Sequence, residues 1–357
     1  MKLYVRYLLR PYFFMFILLA LVLVGLYALV EFFDKLDNVT KAGVSYRVLL
    51  EYLLYRFPQM LFDLWPIVVS LAGLLSLAFL SRGGELLAFR TLGFSNLRLA
   101  FPYFVLAFLL SLGFVSLAAE VIPETTYRAL YVWEVKVYKK EPRGLVVKGR
   151  LFFRGVDSFF TGHVLRPDAS LLRDVTYARV DHEGLPTFII WAKKAYYERG
   201  RWVFEKGLYK RKARGMKPVW FERRSFSLEF SPETVLVVKR IPRAQFLKEL
   251  WDQREFLKEA GLPTTAPESE MAYRLFYPLA GPILLFLALP MLLGQRGRQA
   301  LGRGLSLGVL AIALGLAGVM GAKSLGDLGY FSPLITLPVG LLVLFATALV
   351  LFVLKRF

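Results

Sequence analysis

The chain has 357 residues, 56% of them hydrophobic and 15% aromatic, with a mean hydropathy of +0.50, a composition that favours membrane-spanning helices over an ordinary soluble domain. Its formal net charge of +19 calls for an anionic surface or ligand. With no cysteine, disulfides, thiolate metal sites and cysteine nucleophiles are excluded.

Taken in chain order, apolar stretches run from Pro11 to Glu31, Pro58 to Leu80, Ala100 to Val121, Leu275 to Leu293, Gly304 to Lys323 and Leu334 to Leu354. Each can cross about 30 Å of hydrocarbon as a helix of roughly 20 residues. Backbone groups in that slab need internal partners, so the stretches are expected to be helices. The first run is long enough to span and lacks a small-residue cleavage site, so it is expected to remain as an anchor. Short loops carry the cations: Lys2, Arg6 and Arg10 before the first span, Arg82, Arg90 and Arg98 between the second and third, Arg296, Arg298 and Arg303 between the fourth and fifth, and Lys355 and Arg356 after the last. By the positive-inside rule these segments and both termini are cytoplasmic. The connection after the fifth span sets Lys323 against Asp327 and faces outward, as does the insert between Val121 and Met271, roughly 150 residues long.

Within the insert the period becomes strand-like. Leu151 to Phe153, Val175 to Val180, Thr187 to Trp191, Ala195 to Tyr197, Trp202 to Phe204 and Phe226 to Phe230 are short runs rich in β-branched and aromatic residues, and Glu198 to Arg201 reads as a hairpin turn. The spacing predicts an antiparallel sandwich or jelly-roll. After Pro242 a helix is expected over Ala244 to Ala260, stopped by Gly261 and Pro263, with Phe246, Leu247, Leu250, Trp251 and Leu257 near one face, lying on the membrane or against the β-domain. The expected architecture is a membrane α-helical bundle of six transmembrane helices, three plus three, with an inserted all-β periplasmic jelly-roll domain. Its divisions are 1–123 for spans one to three, with a loop helix near 82–95; 124–241 for the β-domain; 242–270 for the amphipathic linker; and 271–357 for spans four to six. The basic insert meets anionic lipid headgroups or acidic glycolipid, or is simply a solvated face.

No phosphate-cradling G-x-x-x-x-G-K-[ST], no G-x-S-x-G and no H-E-x-x-H occurs. The two histidines, His163 and His182, read as solvated, and the carboxylates Asp63 and Glu120 as helix-end groups in contact with water. More informative is the second cytoplasmic loop, Ser81 to Ser95, a short helix closed by Gly93. Leu86, Leu87 and Phe89 give it an apolar surface while Glu85 and Arg90 remain polar, which suits docking into a partner's groove or shielding the bundle end.

That loop, Arg82-Gly83-Gly84-Glu85-Leu86-Leu87-Ala88-Phe89-Arg90-Thr91-Leu92-Gly93-Phe94-Ser95, resembles the R-x-x-E-L-x-A-x-R-x-x-G-x-S signature of the LptF/LptG (YjgP/YjgQ) permeases of the lipopolysaccharide-export ABC transporter. Glu120-Val121-Ile122-Pro123 resembles the family's E-x-x-P, and Ala192-Lys193-Lys194-Ala195 with Gly200-Arg201-Trp202-Val203 resembles its A-K-x-A and G-x-W hairpin. Tyr277 to Ala280, Ala288 to Pro290 and Leu328 to Pro333 resemble its later motifs, so the likeness covers essentially the whole chain. The first-span exit, Leu29 to Asp37, looks closer to the LptG member, although Glu31 stands where that member has a lysine.

The resemblance implies a permease that takes lipopolysaccharide, or a related anionic glycolipid, from the outer leaflet of the bacterial inner membrane and passes it through its β-domain. It implies no cofactor in this chain: ATP and Mg belong to a separate LptB-like ATPase dimer. The other implied partners are a second, LptF-like permease, a single-span LptC-like regulator and a periplasmic LptA-like bridge. Glu85 matches the coupling-helix glutamate, with Arg82, Leu86, Arg90 and Gly93 beside it. Lys35, Lys41, Arg274 and Phe32 are the cargo candidates near the outer surface. Gly304, Gly308, Ala311, Gly315 and Gly318 recur on one face of span five and form either a lateral gate or a packing face within the bundle. The competing readings are an envelope scaffold that needs no ATPase, a permease of another exporter with a large periplasmic domain, and a membrane-embedded lipid-modifying enzyme.

Overall fold

A computed structural model describes residues 3–354 apart from 140–143, 148, 156, 167–168, 182–184, 199, 213–214, 229, 233–240, 260 and 295–297. His182, Arg296, Lys2, Lys355 and Arg356 lie outside the described residues. Four helices precede the sheet: α1 (Leu3–Lys41), α2 (Tyr46–Arg82), α3 (Glu85–Thr91) and α4 (Asn96–Tyr131). Strands β1 (Gly144–Val147), β2 (Arg150–Arg154), β3 (Ser158–Val164), β4 (Leu171–Val180), β5 (Pro186–Glu198), β6 (Arg201–Arg211) and β7 (Val219–Phe226) follow. Then come α5 (Leu247–Glu259), α6 (Thr265–Phe276), α7 (Ala280–Leu293), α8 (Arg298–Asp327) and α9 (Pro333–Leu354). Six helical spans are long and apolar enough to cross a membrane, the fourth being α6 and α7 joined by a 3-10 turn at Tyr277–Leu279.

The chain divides into two compact units, Met1–Lys35 with Arg56–Ile122 and Thr265–Phe357, and Leu36–Tyr55 with Pro123–Thr264. The end of α1 and the start of α2 thus group with the inserted domain, which resumes at Pro123. Their helices continue past the apolar runs because Val39 and Leu49 are fully buried within the second unit. There Lys136 makes two bonds to Glu51, at 2.6 and 2.8 Å, and Trp133 packs on Tyr52 at 5.0 Å. Both lysine and tryptophan sit on a π-helical turn, Val132–Val137, that ends α4.

In the first unit, polar ties cross an apolar core. Trp65 Nε1 donates to Ser111 Oγ at 2.9 Å and its ring stacks on Phe114 at 3.7 Å, joining α2 to α4. The Tyr277 hydroxyl donates to the Asp63 carbonyl at 2.8 Å, joining α2 to the fourth span. Phe286 contacts Phe104, Phe345 and Phe352, locking α7 to α4 and α9.

The inserted domain is all-β, and its described strands form one antiparallel seven-stranded sheet in the order β1-β2-β3-β4-β5-β6-β7, an up-and-down meander. Its buried face gathers Phe153, Phe160, Tyr177, Ile190, Trp202, Phe204 and Phe230. Phe230 follows β7 rather than extending it; its carbonyl accepts the Trp202 indole N–H at 2.9 Å and its ring meets Phe153, Phe160 and Trp202. A crease crosses the sheet. Buried positions step from Leu172 to Val175 on β4, from Ala192 to Ala195 on β5 and from Phe204 to Gly207 on β6, three residues where the pleat expects two. The extra residues, Asp174, Lys193 and Lys206, all project outward, and Asp174 and Lys206 adopt φ of 50° and 51°. β4, β5 and β6 stay in register with one another across these residues, and the extra residue on β4 is a bulge only against β3, between Thr161 and His163. At the crease a Cβ on Gly207 would lie 2.3 Å from the Trp191 carbonyl oxygen, so only glycine fits.

The linker helix α5 is shorter than expected, preceded by a 3-10 turn at Pro242–Ala244. Its buried face is Leu250, Gln253 and Leu257, whereas Trp251 faces outward under Arg254, whose guanidinium lies 5.2 Å from the ring. Trp251 is therefore removed from the predicted apolar face, since it stands a residue off the Leu250–Leu257 stripe.

Candidate functional site

The loop between α2 and α4 folds as the pattern dictates. Gly84, at φ 75°, turns the chain out of α2, and Gly93, at φ 82°, ends α3, with its N–H on the Arg90 carbonyl at 3.0 Å and the Phe94 N–H on that of Phe89 at 3.1 Å. Leu86 is buried and anchors the helix, while Leu87 and Leu92 remain 65% and 74% exposed. Arg90 turns inward and donates to the carbonyl of Leu293, the last residue of α7. A cation at a helix C-terminus is favourably placed there. The predicted set thus divides: Leu86 and Arg90 hold α3 to the bundle and Gly93 closes it, whereas exposed Arg82 and half-buried Glu85 edge a surface containing Leu87 and Leu92. The Tyr7 hydroxyl, on α1, lies near the Glu85 carboxylate, and its ring is 6.4 Å from that of Phe89.

At the opposite end of the first unit, the predicted cargo residues fare unequally. Lys35 pairs with Asp34 at 2.8 Å, and Phe32, one turn earlier, packs edge-on to Phe33. Lys41, in the second unit, pairs with Asp37 at 2.8 Å and is largely exposed. Arg274 does not face outward as expected: it is 1% exposed and bonds Glu270 at 2.8 Å, because α6 begins well before the apolar run and carries both residues into the bundle. Around it, Ser332 donates to Glu268 at 2.5 Å, Ser269 to Asp327, and Lys323 pairs with Asp327 at 2.5 Å, tying α6 to α8 and to the turn before α9. Asp63 is half-buried, accepting from Gln59 at 2.9 Å, and Glu120 is exposed.

Arg56 escaped the sequence reading. It pairs with Glu31 at 3.3 Å, and both are mostly buried. The signal was present, since the two residues lie about equally far from the turn at Gly43 and so meet across the antiparallel α1–α2 pair. Glu31 is thus neutralised from α2 at the level where the resemblance led one to expect a lysine.

The small residues of span five face inward. A Cβ on Gly308 would lie 2.9 Å from the Leu74 side chain, and one on Gly315 would lie 2.4 Å from Leu284 and 3.2 Å from Leu287. Gly304 is also buried, Ala311 is half-buried, and Gly318 is exposed near Leu344. Most of the stripe therefore packs α8 against α2 and α7 of its own bundle, and the outer face of α8 is built instead from Leu307, Leu310 and Leu314.

Six spans, a sheet domain inserted after the third and a short amphipathic helix at one end of the bundle together describe a multi-pass membrane subunit of the export-permease class. More narrowly, the chain matches the family of the lipopolysaccharide export system permease LptF/LptG over residues 6–354, and it belongs to that family. No curated protein matches it at a significant level. The family is an inner-membrane transport family and covers both LptF and LptG members without separating them here.

Proposed function

We propose that this chain is one permease of a lipopolysaccharide exporter, taking lipopolysaccharide or a related anionic glycolipid from the outer leaflet and driven by a separate cytoplasmic ATPase that docks on α3. The observation that carries this reading is α3 itself. A seven-residue helix pinned by Leu86 and Arg90 presents Leu87 and Leu92 as apolar knobs beside Glu85 and Arg82. Apolar knobs with a flanking carboxylate suit a groove edged by a cation, and the contact is charge-assisted. Driving motion into α3 moves the end of α7 directly, because Arg90 bonds it.

The insert is the periplasmic part of the path, and the exit sequence Leu29 to Asp37 favours the LptG side of a permease pair. Lys35 and Lys41 are the cations that meet the cargo's acidic headgroup at the membrane boundary. Arg274 instead supports the fold of the fourth span. A second permease covers the apolar faces of α1 and α8.

Glu85→Lys tests the reading. With the partner ATPase co-expressed, the variant should fold and reach the membrane while lipid-stimulated ATP hydrolysis and export are lost. Normal stimulation and export in that variant would refute the ATPase dock.

A further inference from the structure

The foot of α1 is fastened to the loop that holds α3. The Tyr4 ring meets Phe94 edge-on at 5.2 Å, Tyr7 lies 6.4 Å from Phe89, and Phe89 meets Phe94 at 5.4 Å. The Arg98 guanidinium covers the Phe94 ring at 4.7 Å. A little further along, Leu8 and Tyr12 are fully buried. The Tyr103 hydroxyl donates to the Leu8 carbonyl at 2.9 Å, Tyr12 donates to the Val69 carbonyl at 3.2 Å, and Phe16 meets Trp65 at 5.5 Å. Beyond Phe16, Ile17, Leu21, Leu26, Leu29 and Val30 face outward while Val24 turns in.

We propose that Tyr4 and Tyr7 are positioning residues that clasp the coupling helix to the foot of span one, and that Tyr7 holds Glu85 until a cation of the ATPase takes its place. The proposal rests on reading α3 as the ATPase dock. Its physical content is a competition followed by a lever. Within the chain the Glu85 carboxylate has the Tyr7 hydroxyl close by, and in the complex it gains a cation outside the chain. A charge-assisted contact outweighs a bond to a neutral phenol. The ring contacts do not depend on that exchange, so when α3 shifts they carry the shift into α1. Edge-to-face ring pairs are geometrically demanding enough to transmit it. Arg90 carries the same shift to α7, and one docking event thereby moves spans one and four together.

The chain has no cysteine, so spin labels can be placed at Arg10→Cys on α1 and Thr91→Cys on α3 without background. On the full chain alone, a narrow label distance should broaden in Tyr4→Leu and return in Tyr4→Phe. With the partner ATPase added, Tyr7→Phe keeps the ring and removes the competitor for Glu85, so ATPase binding should tighten about tenfold, the worth of a hydrogen bond to a charged group. In the same complex Tyr4→Leu should release about tenfold less glycolipid per ATP hydrolysed, and Tyr4→Phe should restore it. A purely structural tyrosine would weaken binding on substitution and would not strengthen it. Unchanged or weaker binding by Tyr7→Phe, or an unchanged label distance in Tyr4→Leu, overturns the clasp. If the native chain recruits no ATPase, the dock itself is refuted, while the label distances still decide whether α3 and α1 are clasped.

Discussion

Gly315→Leu distinguishes a packing face from a gate. A Cβ at Gly315 would lie 2.4 Å from Leu284, roughly an ångström inside ordinary contact, and Leu284 is fully buried with Leu287 beside it. Neither leucine can turn away without displacing its own neighbours, so the overpacking costs about 1–3 kcal/mol. Replacing a mid-helix glycine offsets up to about 1 kcal/mol of that, and the remaining leucine carbons deepen the clash, so the net destabilisation is about 2 kcal/mol. Gly321 lies on the same helix with nothing within 4 Å, so Gly321→Leu gains the propensity without the clash and should be neutral or slightly stabilising. Thermal unfolding of each purified variant in one mild detergent, with no partner present, should place the Gly315→Leu midpoint several degrees below Gly321→Leu. Equal midpoints would mean that Gly315 does not pack within its own bundle and would return the stripe to the gate reading.

Removing the Arg274 guanidinium leaves Glu270 inside the bundle without that partner, which costs about 3–5 kcal/mol. Arg274→Met should therefore lower the unfolding midpoint sharply, and Arg274→Met with Glu270→Gln should recover much of the loss in a double-mutant comparison. In the β-domain, Trp202→Phe removes the donor to the Phe230 carbonyl, a loss of about 1–3 kcal/mol, and the smaller ring adds a cavity cost at this fully buried position. Protease cleavage within the insert should accelerate while the spans remain protected, and an unchanged cleavage rate would discount both the bond and the packing of that ring.

How much could be read beforehand depended on the period of each element. A span needs only an unbroken apolar run, so all six were visible; their ends were not, because Val39, Leu49 and Val132 are buried within the second unit beyond the apolar stretch. The strands were harder for a stated reason. Thr187 to Trp191 and Ala195 to Tyr197 read as two runs, yet they are one strand, β5, whose alternation slips by one at Lys193. The same slip on β4 and β6 breaks the two-residue rhythm, and β3 was missed because Gly162 and Thr161 dilute its apolar content. For α3, the glycines at both ends and the leucines between them were legible. That Arg90 turns inward was not, because its acceptor is a backbone carbonyl some two hundred residues away.

Burial also singles out the span that is easiest to displace, since only 6% of the apolar stretch of α1 is buried, against 22% to 72% in the other spans. Spans two to six are joined by side-chain bonds: α2 to α4 through Trp65 and Ser111, α2 to the fourth span through Tyr277, and α6 to α8 and the turn before α9 through Ser269 and Ser332. On α1, Tyr12 and the Leu8 carbonyl hold the foot to α2 and α4, the Arg56–Glu31 pair holds the other end, and Ile17, Leu21, Leu26, Leu29 and Val30 between them face outward. An apolar helix that exchanges a neighbour's side chains for lipid tails loses little, because the two are equally apolar. Between its two fastenings α1 therefore slides more cheaply than any other span. Spin labels at Leu21→Cys and Leu342→Cys, joining α1 to α9, should give a broader distance distribution than labels at Leu109→Cys and Leu342→Cys, joining α4 to α9. Distributions of equal width would mean that α1, for all its exposure, is held as firmly as the other spans.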